Sequence, residues 1–148
     1  MSIQEKKAVF NIVSSVLIIA GYLFYTFVMN AADNLPLHTD AKFWAVFTLK
    51  FMGVTVGVKI ISHIIFHIIL KGIHKEEDPD FMDEYDKTIE MKSDRNGNYF
   101  FMIGFVVSMI PVATDKPIYY MFIILLAAGF IGGTLGDVWK LYYYKKGF

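Results

Sequence analysis

The sequence predicts an all-helical integral membrane protein, in which a single domain forms a bundle of four transmembrane helices. Four apolar stretches alternate with polar segments along the chain: Val9–Met29, Phe43–Leu70, Tyr99–Thr114 and Ile118–Trp139. Apolar residues make up 55% of the 148 residues, more than is usual in a soluble domain. Lysine is concentrated in alternate polar segments, an asymmetry that orients membrane helices. The lipid bilayer is therefore the first predicted partner, with spans at about residues 9–29, 43–63, 99–114 and 118–139.

The first apolar stretch is predicted to be an uncleaved membrane span rather than a secretory signal peptide. It is longer than the ~7–15 apolar residues that form the core of a signal peptide. A signal-peptide cleavage site also needs two small residues that are two positions apart. The only small pair that follows the stretch is Ala31-Ala32, and the residue two positions before each of them is Met29 or Asn30, neither of which is small. We therefore expect this segment to remain in the membrane as the first helix.

Both termini and the loop between the second and third spans are predicted to lie in the cytoplasm, because positive residues favour that side of a cell membrane. These three segments contain most of the cations of the chain: Lys6, Lys7, Lys71, Lys75, Lys87, Lys92, Arg95, Lys140, Lys145 and Lys146. The segments expected outside have Lys42 and Lys116. The predicted location is thus a cell membrane crossed several times.

The second apolar stretch is too long to be only a membrane span. A straight helix from Phe43 to His74 would be about 48 Å long, against about 30 Å of hydrocarbon. We expect the span to end near residue 63 and to continue as an amphipathic cytoplasmic extension. Basic side chains recur there every four positions, at Lys59, His63, His67 and Lys71. Lys50 is expected to reach the outer interface and Lys59 the inner one.

His63 and His67 are one helical turn apart, a spacing at which two imidazoles can bind one metal ion. No third ligand is evident on the same helix, and Lys59 and Lys71 place positive charge on both sides. We therefore predict no metal site and no cofactor, and we interpret the pair as part of the polar face of the extension. Metal binding and a pH-sensing role for the histidines are the alternatives.

Other ionisable residues accompany the apolar stretches, where each charge near the bilayer centre costs at least about 2.5 kcal/mol. The complete set is Lys50, Lys59, His63, His67 and Asp137. Asp137 lies close to Lys140 in the sequence, and we interpret it as a charge at the cytoplasmic interface. A buried pair between Asp137 and Lys59 is the alternative, since both are expected toward the cytoplasmic side.

The cytoplasmic loop, about residues 75–98, is the one sizeable polar region of the sequence. Its second half has spacing compatible with a helix that runs on toward the third span. We expect Asp80 to cap this helix and Gly97 to allow a bend. A favourable pair is predicted between Asp83 and Lys87, one helical turn apart.

Acidic residues crowd one another along this helix at unfavourable spacings, as at Asp86–Glu90 and Glu90–Asp94. Such crowding indicates a cationic partner, which would be a basic protein surface, a divalent ion, or the lysines of the second helix. A solvated acidic face is the alternative. The residues predicted to bind the partner or cation are Asp83, Glu84, Asp86, Glu90 and Arg95.

The order of residues in the loop is Asp83-Glu84-Tyr85-Asp86, then Ile89-Glu90, Lys92 and Arg95, followed by an apolar span. It resembles a family of small predicted membrane proteins of bacteria and archaea, in which an Asp-Glu-Arg-Asp stretch precedes Ile, a carboxylate, Lys and Arg. Tyr85 stands where that family tends to have arginine. The resemblance implies a four-helix layout in a prokaryotic protein. It implies no biochemical activity.

Small residues in the second and fourth spans recur at the four-residue spacing that lets transmembrane backbones approach closely. They are Gly53, Gly57, Gly129, Gly132, Gly133 and Gly136. We expect them to pack the fourth helix against the second within one bundle. A homodimer formed through the same surface is the alternative.

Several function classes lack any support in the sequence. The absence of cysteine removes disulfides and thiolate metal sites, and a formal net charge of zero without a basic, aromatic surface predicts no nucleic-acid partner. The chain contains no phosphate-binding glycine loop, zinc-protease helix or nucleophile elbow, so we predict that it is not an enzyme.

Two functions remain. The first is an interaction or regulatory subunit that contacts a cytoplasmic protein through its acidic loop. The alternative is a small oligomeric transporter or channel subunit for a cation or proton. In that case Lys50, Lys59, His63, His67 and Asp137 would line a polar route, so their convergence on one cavity would favour transport.

Overall fold

The computed structural model describes residues 2–29, 40–73 and 82–147, and these form four α-helices and no strand. The helices are α1 (Ile3–Phe24), α2 (Ala41–Ile68), α3 (Glu84–Ala113) and α4 (Tyr119–Lys146). Single π-helical turns, Tyr25–Met29 and Ile69–Ile73, lengthen α1 and α2. All four helices are long and apolar enough to cross a membrane. The predicted all-helical fold class and the number of long apolar helices are therefore confirmed.

Reciprocal caps fix where α1 and α3 begin. Ser2 Oγ accepts a hydrogen bond from the Glu5 amide at 3.2 Å, and the Glu5 carboxylate accepts one from the Ser2 amide. Asp83 and Asp86 repeat this arrangement at the start of α3, with distances of 2.8 and 3.2 Å. Asp83, rather than the predicted Asp80, thus caps the helix, and Asp80 lies outside the described residues. Each cap satisfies amides that a helix N-terminus otherwise leaves without partners.

The loop helix and the third span form one continuous helix, because α3 passes through Gly97 without interruption. A short turn then joins α3 to α4, and Asp115 within it has a φ of 59°. The last helix continues past Trp139 to Lys146. As a result α3 and α4 form an antiparallel hairpin whose polar halves extend together beyond their apolar halves.

The hairpin is held by small side chains along one seam. The residues buried there are Ser93, Gly97 and Ser108 of α3 with Ala128, Gly132 and Gly136 of α4. A Cβ atom added at Gly97 would lie 2.5 Å from the carbonyl oxygen of Gly132, and one at Gly104 would overlap the Cβ of Ala128. The two backbones are therefore in close contact, as expected where small residues recur every four positions.

The predicted partner of the α4 glycines is wrong. Gly132 and Gly136 face α3, whereas a Cβ atom added at Gly53 or Gly57 of α2 would meet nothing within 4 Å. A Cβ atom added at Gly133 of α4 would also meet nothing within 4 Å. One added at Gly129 would meet only the edge of the Phe101 ring, at 4.0 Å. The four α4 glycines lie on two faces of the helix, of which one packs on α3.

The fourth helix is the centre of the bundle, since α1, α2 and α3 all contact it. At one end of the bundle, α1 and α2 meet through aromatic rings, including Tyr22 and Phe47, whose centroids are 4.9 Å apart. At the other end Phe10 stacks on Phe66 at 4.7 Å. We call these the aromatic end and the polar end. The polar end also contains the start of α3 and the end of α4, where Asp86 meets Tyr144.

Large apolar side chains cover the outside of the bundle. Leu17, Leu49 and Ile103, on three different helices, are 66%, 69% and 64% exposed. A water-soluble protein of this size rarely exposes such a continuous apolar surface. Hydrocarbon chains of a membrane would cover it at no cost.

Candidate functional site

A cavity of about 880 Å³ lies between α1, α2 and α4, with two phenylalanines of α3 in its wall. This volume is within the range of about 300–1,000 Å³ that is usual for small-molecule sites. Nine of the nineteen lining residues have apolar or aromatic side chains, namely Ile18, Phe51, Met52, Phe101, Phe105, Phe122, Leu125, Leu126 and Phe130. We call this space the interhelical cavity.

Polar side chains from three helices converge at the end of the cavity nearer the polar end of the bundle. They are Asn11 of α1, Thr55, Lys59 and His63 of α2, and Asp137 of α4. Three of the five ionisable residues singled out in the sequence thus share one cavity. Lys50, which is exposed, and His67 are not among its lining residues.

Lys59 reaches across from α2 to the backbone of α1. Its Nζ atom donates hydrogen bonds to the carbonyl oxygen of Asn11 at 2.9 Å and to Ser14 Oγ at 2.7 Å. Both acceptors are neutral. Within the described residues no carboxylate lies within 4 Å of this ammonium group, so the alternative of a direct Lys59–Asp137 pair does not form. An ammonium group has three N–H donors, and one remains available to a ligand.

Asp137 has different partners from Lys59. Lys140 Nζ lies 3.8 Å from its carboxylate, and the side chain of Asn11 also forms a hydrogen bond to it. Lys140 is shared further with Glu90 at 3.6 Å and Asp94 at 3.5 Å, both on α3. The polar end of the cavity is therefore connected through Lys140 to the outer surface of the hairpin.

Two residues of the lining each have a polar atom that is buried without a hydrogen-bond partner among the described residues, Asn11 Oδ1 and Thr55 Oγ1. The other two threonines of the lining donate to their own helices, Thr48 to Trp44 at 2.8 Å and Thr134 to Phe130 at 2.9 Å. Leaving a buried polar group unpaired costs about 1–3 kcal/mol. A polar occupant of the cavity would remove that cost at Thr55 and Asn11.

Among the described residues, the two histidines of α2 belong to no cluster of three potential metal ligands. The His63 ring packs edge-on against Phe10, with centroids 5.3 Å apart. Within the described ranges, no three His, Asp or Glu side chains come close enough together to hold a metal ion.

The acidic residues of α3 find partners within the hairpin. Asp83 and Asp86 cap the helix, and Asp86 also accepts a hydrogen bond from the Tyr144 hydroxyl at 2.8 Å. Glu84, rather than the predicted Asp83, pairs with Lys87, at 3.5 Å. The cation shared by Glu90 and Asp94 is Lys140, which the sequence pattern did not indicate as their partner. Arg95 is exposed. Contacts within the chain therefore explain the crowding of these acids without an external cation.

Three residues belong to the site although the sequence pattern did not indicate them: Asn11 and Thr55, which line the cavity, and Ser14, which accepts a hydrogen bond from Lys59. Asn11 and Ser14 are polar residues inside the first apolar stretch, which is the signal that could have identified them. A second, smaller groove of about 380 Å³ lies beside the hairpin and shares Phe101, Gly129 and Gly133 with the interhelical cavity.

Comparisons with protein-family models, with curated proteins and with solved structures find no match to this chain.

Proposed function

We propose that this chain is a non-enzymatic, multi-pass membrane protein that binds an amphipathic small molecule in the interhelical cavity. The observation behind the proposal is the division of the cavity into a long aromatic wall and one polar end containing Lys59, Thr55 and Asp137. Sites that take small molecules combine this kind of apolar lining with a few convergent polar groups. Ionisable residues within apolar spans also commonly mark functional sites.

The length of the cavity suits a molecule with an apolar tail. Thr48 and Lys59 both line it, and they are eleven residues apart on α2. At about 1.5 Å per residue, this separation is roughly 17 Å along the helix. A tail lying beside Phe51 and Met52 would place its polar head beside Lys59, near the polar end of the bundle.

Transport of a cation or proton is the second candidate. It is supported by the connection from Lys59 through Asn11 and Asp137 to Lys140 and the surface of α3. The aromatic wall of the cavity argues against a continuous polar route. Protein-mediated proton flux into liposomes would favour transport, and tight binding of an amphiphile without flux would favour the first proposal.

An interaction with a cytoplasmic protein through the acids of α3 is the weaker hypothesis. The crowding of these acids suggested an external cation. However, Lys140, Tyr144 and the helix cap already contact the acids. Loss of a co-purifying protein on neutralising Glu84, whose side chain is 94% exposed, would restore this hypothesis.

Filling the cavity should abolish binding. Leucine at Gly133 would extend into the cavity, because a Cβ atom there meets nothing within 4 Å and Gly133 is part of the lining. We expect Gly133→Leu to remain folded and to lose labelling by a long-chain alcohol that has a photoreactive diazirine at the end of its tail. The measurement is mass spectrometry of the labelled peptides from purified protein.

The matched control for this variant is Gly53→Leu. Gly53 also meets nothing within 4 Å, but it lies outside the cavity lining, so the same added side chain should leave labelling unchanged. Equal labelling of parent and Gly133→Leu at α2 and α4 peptides, with both proteins folded, would exclude the cavity as the site.

The proposed orientation places the polar end of the bundle in the cytoplasm. Single cysteines are informative here because the chain has none of its own. We expect a cysteine at Lys116 to react with an impermeant maleimide in intact cells, and one at Lys146 to react only after permeabilisation. The reverse pattern would invert the orientation while leaving the four helices in place.

A further inference from the structure

We infer that the occupant of the interhelical cavity is a single-chain amphiphile with a carboxylate head, bound by Lys59 and Thr55. The inference rests on the proposed function and specifies its ligand class. Charge, hydrogen-bonding capacity and cavity shape each contribute a separate step.

No carboxylate of the described residues is in direct contact with Lys59, and Asp137 acts on its charge only through space. The two acceptors of Lys59, the Asn11 carbonyl and the Ser14 hydroxyl, are dipoles without net charge. A charged group in apolar surroundings is costly unless it is paired, so an anion placed beside the third N–H would be stabilised. A neutral or cationic head would gain no such stabilisation.

Thr55 supplies a second donor on the same face of α2. It precedes Lys59 by one helical turn, so the two side chains are neighbours. Its hydroxyl is buried without a partner, unlike those of Thr48 and Thr134, which donate to their own backbones. A carboxylate has two oxygens, of which one can accept from Lys59 and the other from Thr55, once the buried Thr55 hydroxyl turns toward the cavity.

Other charged groups near the cavity also bear on the head group. Among the described residues, Asp137 is the one carboxylate in the lining, and Lys140 and Asn11 are already bound to it. The side chains of Glu90 and Asp94, which share Lys140, are 46% and 61% exposed and are screened by water. Removing the Asp137 charge should therefore strengthen the binding of an anionic head.

The shape of the cavity favours one chain rather than two. The ionisable residues lie at one end, and a largely apolar wall, with Thr48 in it, extends from them along α2 and α4. A straight-chain carboxylic acid would follow this wall with its head at Lys59. A head with more oxygens, such as a phosphate, would need donors in addition to Lys59 and Thr55.

A competition experiment tests the head group. The full-length protein is labelled with the diazirine alcohol, and labelling is displaced by palmitic acid or by palmitamide, which have the same chain. In the parent we expect the ionised acid to compete roughly tenfold better than the amide, the gain expected of one charge-assisted contact. Lys59→Met should remove this preference, and Lys59→Arg should keep part of it.

Two further variants separate a role in binding from a role in folding. Thr55→Val removes the hydroxyl with little change of shape and should reduce the preference for the acid, while Asp137→Asn should increase it. Lys50→Met is the matched control for Lys59→Met, because Lys50 is an exposed lysine of the same helix outside the lining. It should leave the preference unchanged.

The outcomes distinguish the two proposals. No labelling by the alcohol in the parent would overturn the cavity as a binding site, and with it this inference. Labelling that acid and amide displace equally, in parent and in Thr55→Val alike, would leave the binding site standing and exclude a carboxylate head. Stronger displacement by the matching long-chain amine would assign the head group to Asp137 instead.

Discussion

The Gly97→Leu variant is expected to lose the packed α3–α4 hairpin. Even the first carbon of the new side chain would lie 2.5 Å from the carbonyl oxygen of Gly132, and backbone atoms cannot move aside as a flexible side chain can. The milder Gly97→Ala should lower the free energy of unfolding by about 1–3 kcal/mol, the usual range for overpacking. Thermal unfolding in detergent, followed by circular dichroism, measures both effects.

The control for this prediction is the same pair of substitutions at Gly53. That glycine also lies within a membrane helix, but a side chain there meets open space. We expect Gly53→Ala and Gly53→Leu to melt close to the parent. A Gly97→Leu protein that melts with them would contradict the close contact between the two backbones.

The Lys140→Met variant is expected to show the second largest loss of stability. Lys140 contacts three carboxylates, and the side chain of Asp137 is only 15% exposed, so its charge would be left without its main partner. Breaking a fully buried pair costs about 3–5 kcal/mol. Because Glu90 and Asp94 are largely solvated, we expect a smaller loss, about 1–2 kcal/mol, in chemical unfolding.

A matched control and a double variant make this prediction specific. Lys87→Met removes an ion pair with the same 3.5 Å distance, between side chains that are 60% and 94% exposed, and should change stability very little. Combining Lys140→Met with Asp137→Asn should recover part of the loss, since the unpaired carboxylate is then absent. If Lys87→Met and Lys140→Met lowered the free energy of unfolding equally, the burial of the Asp137 side chain would not contribute to the effect of Lys140→Met.

The sequence was sufficient for the fold class because the controlling property is local. Each apolar stretch is long enough to span hydrocarbon, and each one forms a helix regardless of its neighbours. The exact start of α3 was harder to predict from the sequence, because several acids in this segment can cap a helix. Only the reciprocal hydrogen bonds between Asp83 and Asp86 show which acid is the cap.

Helix partners could not be predicted in the same way. Glycines at four-residue spacing occur on α2 and α4, and nothing in the spacing says which helix approaches which face. The decisive residues are Gly97 and Gly104 of α3, which the four-residue spacing of glycines on α2 and α4 does not indicate. Choice of partner is a property of the assembled surfaces.

The candidate site could be predicted from the sequence only in part. Lys59, His63 and Asp137 could be singled out because ionisable residues are rare in apolar stretches. Their convergence depends on the register between α2 and α4, which the sequence does not specify. Asn11 and Thr55 are common polar residues in such helices, and only burial without a partner distinguishes Thr55 from Thr48.

The central position of α4 has a consequence for biosynthesis. A chain is made from its N-terminus, so α1 and α2 enter the membrane before the helix that both of them contact has been translated. The α3–α4 hairpin can close at once, since one short turn joins its two halves. The wall of the cavity formed by α4 is therefore the last to be added, and the cavity is complete only when this helix docks.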